Sequence, residues 1–282
     1  VTLTAWLFGL FALALLFKHL FFWRPLDTSV IYRQHPFLRF GHRGAAALAP
    51  ENTLVGFRKA IADGCNAVEL DVHITRDGRL VVFHDDRLER TTDGKGRLAD
   101  YKYGDLAQLN AAVNWDTSYQ AIPTLEEVIN ALPSDIIINM ELKNFSFFSD
   151  MRLEREVVMF IHRHGLRDRV IVSSFNPLNI WRVKMADPTI FTALLWHRRG
   201  RFSLRVPLGF HLTHPDFLHP YYTNVQGRAL YWSRTKGIPI HVWVVNDAEK
   251  IRELKRLPGV RGIMSDDTEL LNKVLTTRES MA

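Results

Sequence analysis

From Pro123 onward, short apolar runs and amphipathic helical patterns take turns, and this alternation constrains the fold more than any other feature of the chain. Strand-like stretches fall at 135–142, 169–174, 190–195, near Phe217-Leu218, at 239–245 and at 262–264. The spacing between them predicts helices over 124–131, 151–164, 177–185, 224–236 and 248–257, and a last helix from near Asp266. A basic loop is expected ahead of Phe217. Thr124, with Glu127 three residues later, reads as a capping box. The same order appears upstream: a strand at 37–40 ending at Gly41, a helix over 51–62 with Pro50 near its start and Gly64 beyond its end, and a strand at 66–74. One connection breaks the rule. Arg76-Asp77-Gly78 turns the chain directly into 80–83, and a parallel crossover needs a dozen or more residues, so this pair should be an antiparallel hairpin. Alternating strands and helices imply a parallel sheet covered by helices. About eight parallel strands favour a closed (β/α)8 barrel over an open sheet. Residues 85–122, polar and rich in turn signals, read as a small insertion.

The N-terminus carries the second bulk signal. Leu3 to Phe17 holds no charge, and Lys18-His19 is followed by Leu20-Phe21-Phe22-Trp23. About 20 apolar residues span a bilayer, which 3–23 supplies if Lys18 snorkels to the headgroups. The expectation is a transmembrane anchor over 1–23, with Trp23 at the interface, a linker over 24–36 and a catalytic barrel over 37–282. A cleaved signal peptide fits less well, because no basic residue precedes the apolar run. Lys18, Arg24, Arg33 and Arg39 follow the run, which places the barrel on the cytoplasmic side of the membrane by the positive-inside bias. The net charge of +6 suits an anionic lipid or phosphorylated substrate. Apart from His197-Arg198-Arg199 with Arg201 and Arg205, basic residues are dispersed, and no nucleic-acid motif is present. The single cysteine, Cys65, excludes an internal disulfide and a cysteine-based zinc site.

Chemistry-bearing residues sit at strand ends. In 67–72, Glu69 and Asp71 alternate with Val68, Leu70 and Val72, so the two acids share a face. On a barrel strand sheathed by helices that face points inward, where two like charges need a cation between them or one must protonate. Glu141 and Lys143 share a face after the apolar run Ile136-Ile137-Ile138. Three carboxylates without cysteine suit one Mg2+ or Ca2+ ion. His42 and His84 lie close to these acids, and imidazole moves protons near neutral pH. Arg43 and Lys143 can bind phosphate oxygens or pair with the same carboxylates.

The run from Gly41 to Gly96, with His42-Arg43-Gly44, Glu51-Asn52-Thr53, Glu69-Leu70-Asp71 and His84-Asp85, resembles the N-terminal core of the glycerophosphodiester phosphodiesterases. Ile122 to Glu127, Glu141-Leu142-Lys143, Ser173-Ser174-Phe175, Trp243 to Asn246 and Gly262 to Asp266 resemble later parts of that family. The resemblance covers about 38–275 and fades from Trp196 to Tyr222, which leaves His214 and His219 without a role. It implies a phosphodiesterase barrel with the insertion over its active site. His42 and His84 become the acid–base pair, and Glu69, Asp71 and Glu141 the metal ligands. Arg43 and Lys143 become phosphate contacts, with Trp243 lining the pocket. The implied reaction is metal-dependent hydrolysis of a glycerophosphodiester to a glycerol phosphate and an alcohol. Two alternatives accompany it. One is a lysophospholipase D acting on membrane lysophospholipids, to which the aromatic run Phe145-Ser146-Phe147-Phe148 would contribute. The other is a non-catalytic membrane-bound phosphate or lipid sensor.

Overall fold

The computed structural model describes residues 2–144, 150–197 and 205–276, with the side chains of 2–4 and 205–208 excepted. Phe145 to Phe148, and Arg198, Arg199 and Arg201 of the basic stretch, lie outside the described residues. The strands are β1 (Leu38–Gly41), β2 (Ala67–Ile74), β3 (Leu80–Val82), β4 (Ile137–Leu142), β5 (Val170–Ser174), β6 (Phe191–Trp196), β7 (Phe217–Pro220), β8 (Ile240–Val242) and β9 (Val260–Ser265). They follow the order β1-β9-β8-β7-β6-β5-β4-β2, and a parallel β1–β2 pairing closes the ring. β3 stands apart as the antiparallel partner of β2, with Val72 opposite Val82, as the tight turn requires. The parallel register sets Glu69 beside Asn139 and Asp71 beside Glu141. Adjacent strands lie about 4.8 Å apart, so this pairing alone brings two acids together.

Helices α2 (Leu54–Ala62), α4 (Leu125–Ala131), α5 (Arg152–Arg163), α6 (Pro177–Ala186), α8 (Leu230–Lys236), α9 (Ala248–Lys255) and α10 (Thr268–Thr276) occupy or overlap the expected stretches. The capping box at α4 forms in full: the Thr124 hydroxyl accepts from the Glu127 amide, and the Glu127 carboxylate accepts from the Thr124 amide. α2 starts later than expected because Thr53, not a residue near Pro50, caps it by accepting from Gly56 N–H. The expected helix over 224–236 is broken, since Gly227 at φ 77° cannot continue a right-handed turn. A further helix, α7 (Arg205–Thr213), replaces part of the expected loop. Its Pro207 lies in the first turn of the described stretch. The insertion folds around its own cluster of Phe83, Leu88, Leu98, Leu106 and Ile122 and includes a short helix, α3 (Tyr103–Leu106).

The barrel is filled at its strand N-terminal end by Leu38, Phe40, Ile137, Ile171, Phe191, Phe217 and Met264. The stretch expected as a linker floors this end. Residues Ser29–Tyr32 form a 3-10 turn, Ile31 is buried in the cluster, and Tyr32 Oη lies 2.7 Å from His241 Nε2. Leu26 N–H donates to Asp216 Oδ1 at 2.9 Å.

The N-terminal apolar segment forms helix α1 (Thr2–Phe21). Among the described residues no helix is long and apolar enough to cross a membrane, which corrects the expected span. Lys18 and His19 in the last turn of α1 interrupt the apolar run before the helix ends. Trp23 also departs from its expected interfacial place. It is buried, stacks on His214 at 4.7 Å and packs against Phe210, with the Lys236 ammonium 4.4 Å from its ring centre.

Candidate active site

The C-terminal ends of the barrel strands collect the site, where connecting loops can aim side chains over a packed core. Gly41 ends β1 at a point where a side chain has no room: a Cβ there would meet Gly44 O at 2.1 Å and Ala60 Cβ at 2.7 Å. The tight turn that follows puts Arg43 in the left-handed region, φ 51°. It presents His42, the Arg43 amide and the Arg43 guanidinium to one centre.

That centre is acidic. Ligand oxygens of Glu69, Asp71 and Glu141, all buried, lie within 4.8 Å of one another. Lys143 Nζ sits between two of them, 2.9 Å from Asp71 Oδ1 and 2.5 Å from Glu141 Oε1. Arg43 Nε is 3.5 Å from Asp71 Oδ2, and its Nη1 donates to Glu51 Oε1 at 3.0 Å. The expected phosphate-binding pair thus rests on the carboxylates. Burial alone would raise Asp71, but Lys143 and Arg43 hold its carboxyl well below the usual range. Glu69 has weaker compensation: burial and the Asp71 charge push it up to about 8. Burial, which outweighs Lys143, raises Glu141 as well. One Glu69 oxygen, Oε1, is buried with no hydrogen-bond partner. An orphaned carboxylate oxygen in a three-acid cluster of hard oxygen donors fits a divalent cation such as Mg2+ or Ca2+, which would return Glu69 to its ionised form.

The two histidines flank this cluster. His42 Nε2 is 3.8 Å from Glu69 Oε2, and its Nδ1 is 2.6 Å from Asp266 Oδ1. Burial works to lower the His42 pKa, yet Glu69 and Asp266 together raise it. His84 Nδ1 lies 2.5 Å from Asp85 Oδ1. Burial dominates there and pushes His84 down to about 4. Each imidazole is thereby fixed through Nδ1 by a carboxylate and leaves Nε2 for chemistry. Trp243 is half-buried just beyond β8, its ring edge-on to Phe175 and Tyr221 at 5.3 Å each, and its Nε1–H donates to His219 O.

The structure brings together Glu69, Asp71, Glu141, Lys143, Arg43 and His42, with His84 close enough for the Asp71 charge to act on it. His214 and His219 fall elsewhere: His214 against Trp23, and His219 inside the barrel, 3.0 Å from His241.

Sequence reasoning passed over a supporting layer. Asn52 donates to Asp71 Oδ2 at 2.7 Å and accepts from the Asp71 amide. Asn246 donates to Asp266 Oδ2. Arg90, from the insertion, grips both oxygens of Glu51 and also binds Asp85. Asp266 had a legible signal, an acid one residue beyond the apolar run Ile263-Met264. Arg90 had none.

The profile of the Glycerophosphoryl diester phosphodiesterase family matches residues 42–270. A glycerophosphodiester phosphodiesterase of Caldanaerobacter subterraneus subsp. tengcongensis is 32% identical over 238 residues, 83% of this chain and 96% of that protein. One of Bacillus altitudinis is 34% identical over 251 residues, 86% of this chain and 98% of that protein. Among solved structures, an Oleispira antarctica phosphodiesterase in complex with the product sn-glycerol-3-phosphate superposes with a TM-score of 0.70. It is 25% identical, and the match covers 85% of this chain and 97% of that one. With a matching profile that takes in the whole acidic cluster and both flanking histidines, the chain belongs to the glycerophosphoryl diester phosphodiesterase family.

Proposed function

We propose that this chain hydrolyses glycerophosphodiesters to a glycerol phosphate and an alcohol with the help of one divalent cation, Mg2+ or Ca2+, held by Glu69, Asp71 and Glu141. The convergence of those three carboxylates within 4.8 Å, with His42 Nε2 at 3.8 Å from one of them, carries the proposal. A cation bound there supplies charge to polarise the phosphate and to lower the pKa of an attacking hydroxyl. Arg43, whose side chain is still 19% exposed, binds phosphate oxygens from the open side, and Lys143 would join it in a cation-loaded site, where Asp71 and Glu141 would no longer need its charge. One of His42 and His84 accepts the proton of the nucleophile, either water or the substrate's own glycerol 2-hydroxyl. The other protonates the departing alkoxide. Asp266 and Asp85 keep both rings oriented throughout. Trp243, with Phe175 and Tyr221, forms the wall for the glycerol or head group.

The same reading keeps α1 as a membrane attachment, with the barrel on the cytoplasmic side. Choline release from glycerophosphocholine and from lysophosphatidylcholine, with and without chelator, tests the chemistry. Turnover that is lost with chelator and restored by Mg2+ or Ca2+ supports it. A large preference for lysophosphatidylcholine would favour the lysophospholipase D alternative. No turnover of either substrate would leave only the phosphate or lipid sensor.

A further inference from the structure

The catalytic groups lie in or just after the C-terminal halves of β1 and β4 or line β2, with His84 brought beside Asp71 by the antiparallel β3, so the mouth opens at the C-terminal end of the parallel strands. The N-terminal helix is fastened at the other end. Trp23 packs against Phe210, Phe21 against His211, and His19 against His214. Trp23 also stacks on His214, so all of these contacts fall on the half of α7 that leads into the start of β7. Lys236, at the last turn of α8 and just ahead of β8, donates to Phe21 O and Trp23 O. α1 therefore leaves the barrel past its floor. Its exposed side chains include Trp6, Leu7, Phe8, Leu10, Phe11 and Leu13. At about 3.6 residues per turn these point in every direction around the axis. A protein groove covers one side of a helix, whereas a lipid layer surrounds it. Lys18 lies in the last turn of α1, and Arg24 and Lys236 lie together where the helix meets the barrel, charges that match anionic headgroups.

We infer that α1 enters a lipid bilayer with the barrel floor toward the headgroups, so that the catalytic mouth faces away and takes water-soluble glycerophosphodiesters rather than lysophospholipids embedded in that same bilayer. The substrate half of this inference rests on the phosphodiesterase reading of the site. At about 3.3 Å per residue, Asp71 lies roughly 13 Å along β2 from its floor end at Ala67. A lysophospholipid phosphate would have to climb that distance with its acyl chain out of the lipid.

The test uses the full chain reconstituted in vesicles of phosphatidylcholine and phosphatidylglycerol carrying a headgroup-linked quencher. Arg33→Cys places a fluorophore beside the floor turn. Asp116→Cys places one in the insertion near Asn114, which binds Arg90 O at the mouth. Cys65 is buried, with its thiol pushed up to about 12, and stays unlabelled. The label at position 33 should be quenched several-fold more than that at 116. Glycerophosphocholine should turn over equally in vesicles and in detergent, and lysophosphatidylcholine at least several-fold more slowly in vesicles than in detergent. Equal or reversed quenching, failure of the chain to float with the vesicles, or undiminished hydrolysis of the embedded lysophospholipid would overturn the inference. Absent turnover of both substrates in detergent would instead remove the phosphodiesterase reading and the substrate claim with it, while the quenching still decides the orientation.

Discussion

Replacing Asp266 by asparagine tests whether the second carboxylate of the His42 pair matters to turnover. Asp266 Oδ1 lies 2.6 Å from His42 Nδ1, a distance typical of a charge-assisted hydrogen bond. Such bonds contribute about 1.5–3 kcal/mol, and each 1.36 kcal/mol off a barrier is tenfold in rate. If most of that stabilisation is felt when His42 carries its proton, Asp266→Asn should lower kcat by roughly 10- to 150-fold. KM should move little, because Asp266 touches the imidazole and not the phosphate site. The fold should survive, since the Asn246 side chain still bonds the residue-266 amide. Asp266 also raises the His42 pKa, so the limb of the pH–rate profile that reports His42 should shift to lower pH. Steady-state kinetics on glycerophosphocholine with a saturating divalent cation supply both readouts, and thermal melting checks the fold. Adding Asp266→Asn to His42→Ala should cost nothing further, because the carboxylate acts only through the ring. A kcat equal to the parent's, or an undiminished second loss in the double variant, would refute this reasoning.

Alanine at His42 or at His84 should each reduce kcat by at least ~10²-fold if they serve as acid and base, measured under the same saturating conditions. Glu69→Gln removes a cation ligand and the group that burial pushes up to about 8, so calorimetric titration with Mg2+ or Ca2+ should lose its heat while the melting temperature holds or rises. Gly41→Ala puts a Cβ 2.1 Å from Gly44 O and should destabilise the chain by about 1–3 kcal/mol or more, visible as a lower urea midpoint. Burial pushes His219 down to about 3, and burial with the neighbouring His219 pushes His241 well below its usual value. The unfolded chain therefore takes up protons below about 6.5 that the folded chain refuses. Stability should be fully present above that pH and fall as pH drops from there toward about 3. The loss should reach about 2 kcal/mol at pH 5 from His219 alone. Thermal melts between pH 7.5 and pH 5 should show that slope, and His219→Gln should flatten it.

Much of the barrel was legible because its signals are local. The hairpin followed from the shortness of the Arg76-Asp77-Gly78 turn, and the start of α4 from Thr124 and Glu127. The face shared by Glu69 and Asp71 followed from strand periodicity. What stayed hidden depends on distant partners. Nothing local to Tyr32 announces that its hydroxyl meets His241, so residues 24–36 read as a free connector. Nothing in Arg90 announces Glu51. α7 was missed because its described stretch opens with a proline in the first turn beside a polar, basic segment, a pattern that reads equally as loop. The late start of α2 turned on Asn52, which takes a left-handed backbone, φ 55°, in order to reach Asp71. That is a tertiary demand overriding a local preference.

The turn beneath the barrel has a consequence for how the chain acquires its shape. Tyr32 and His241 are separated by 209 positions, and Leu26 and Asp216 by 190. During synthesis the plug emerges early, yet its seat does not exist until nearly all the β-staves have been made. Closure over so long a loop is entropically demanding and slow. A ribosome-bound intermediate would carry Ile31 and Tyr32 uncovered for most of translation, and the last act of folding would be to shut the base behind an already assembled wall.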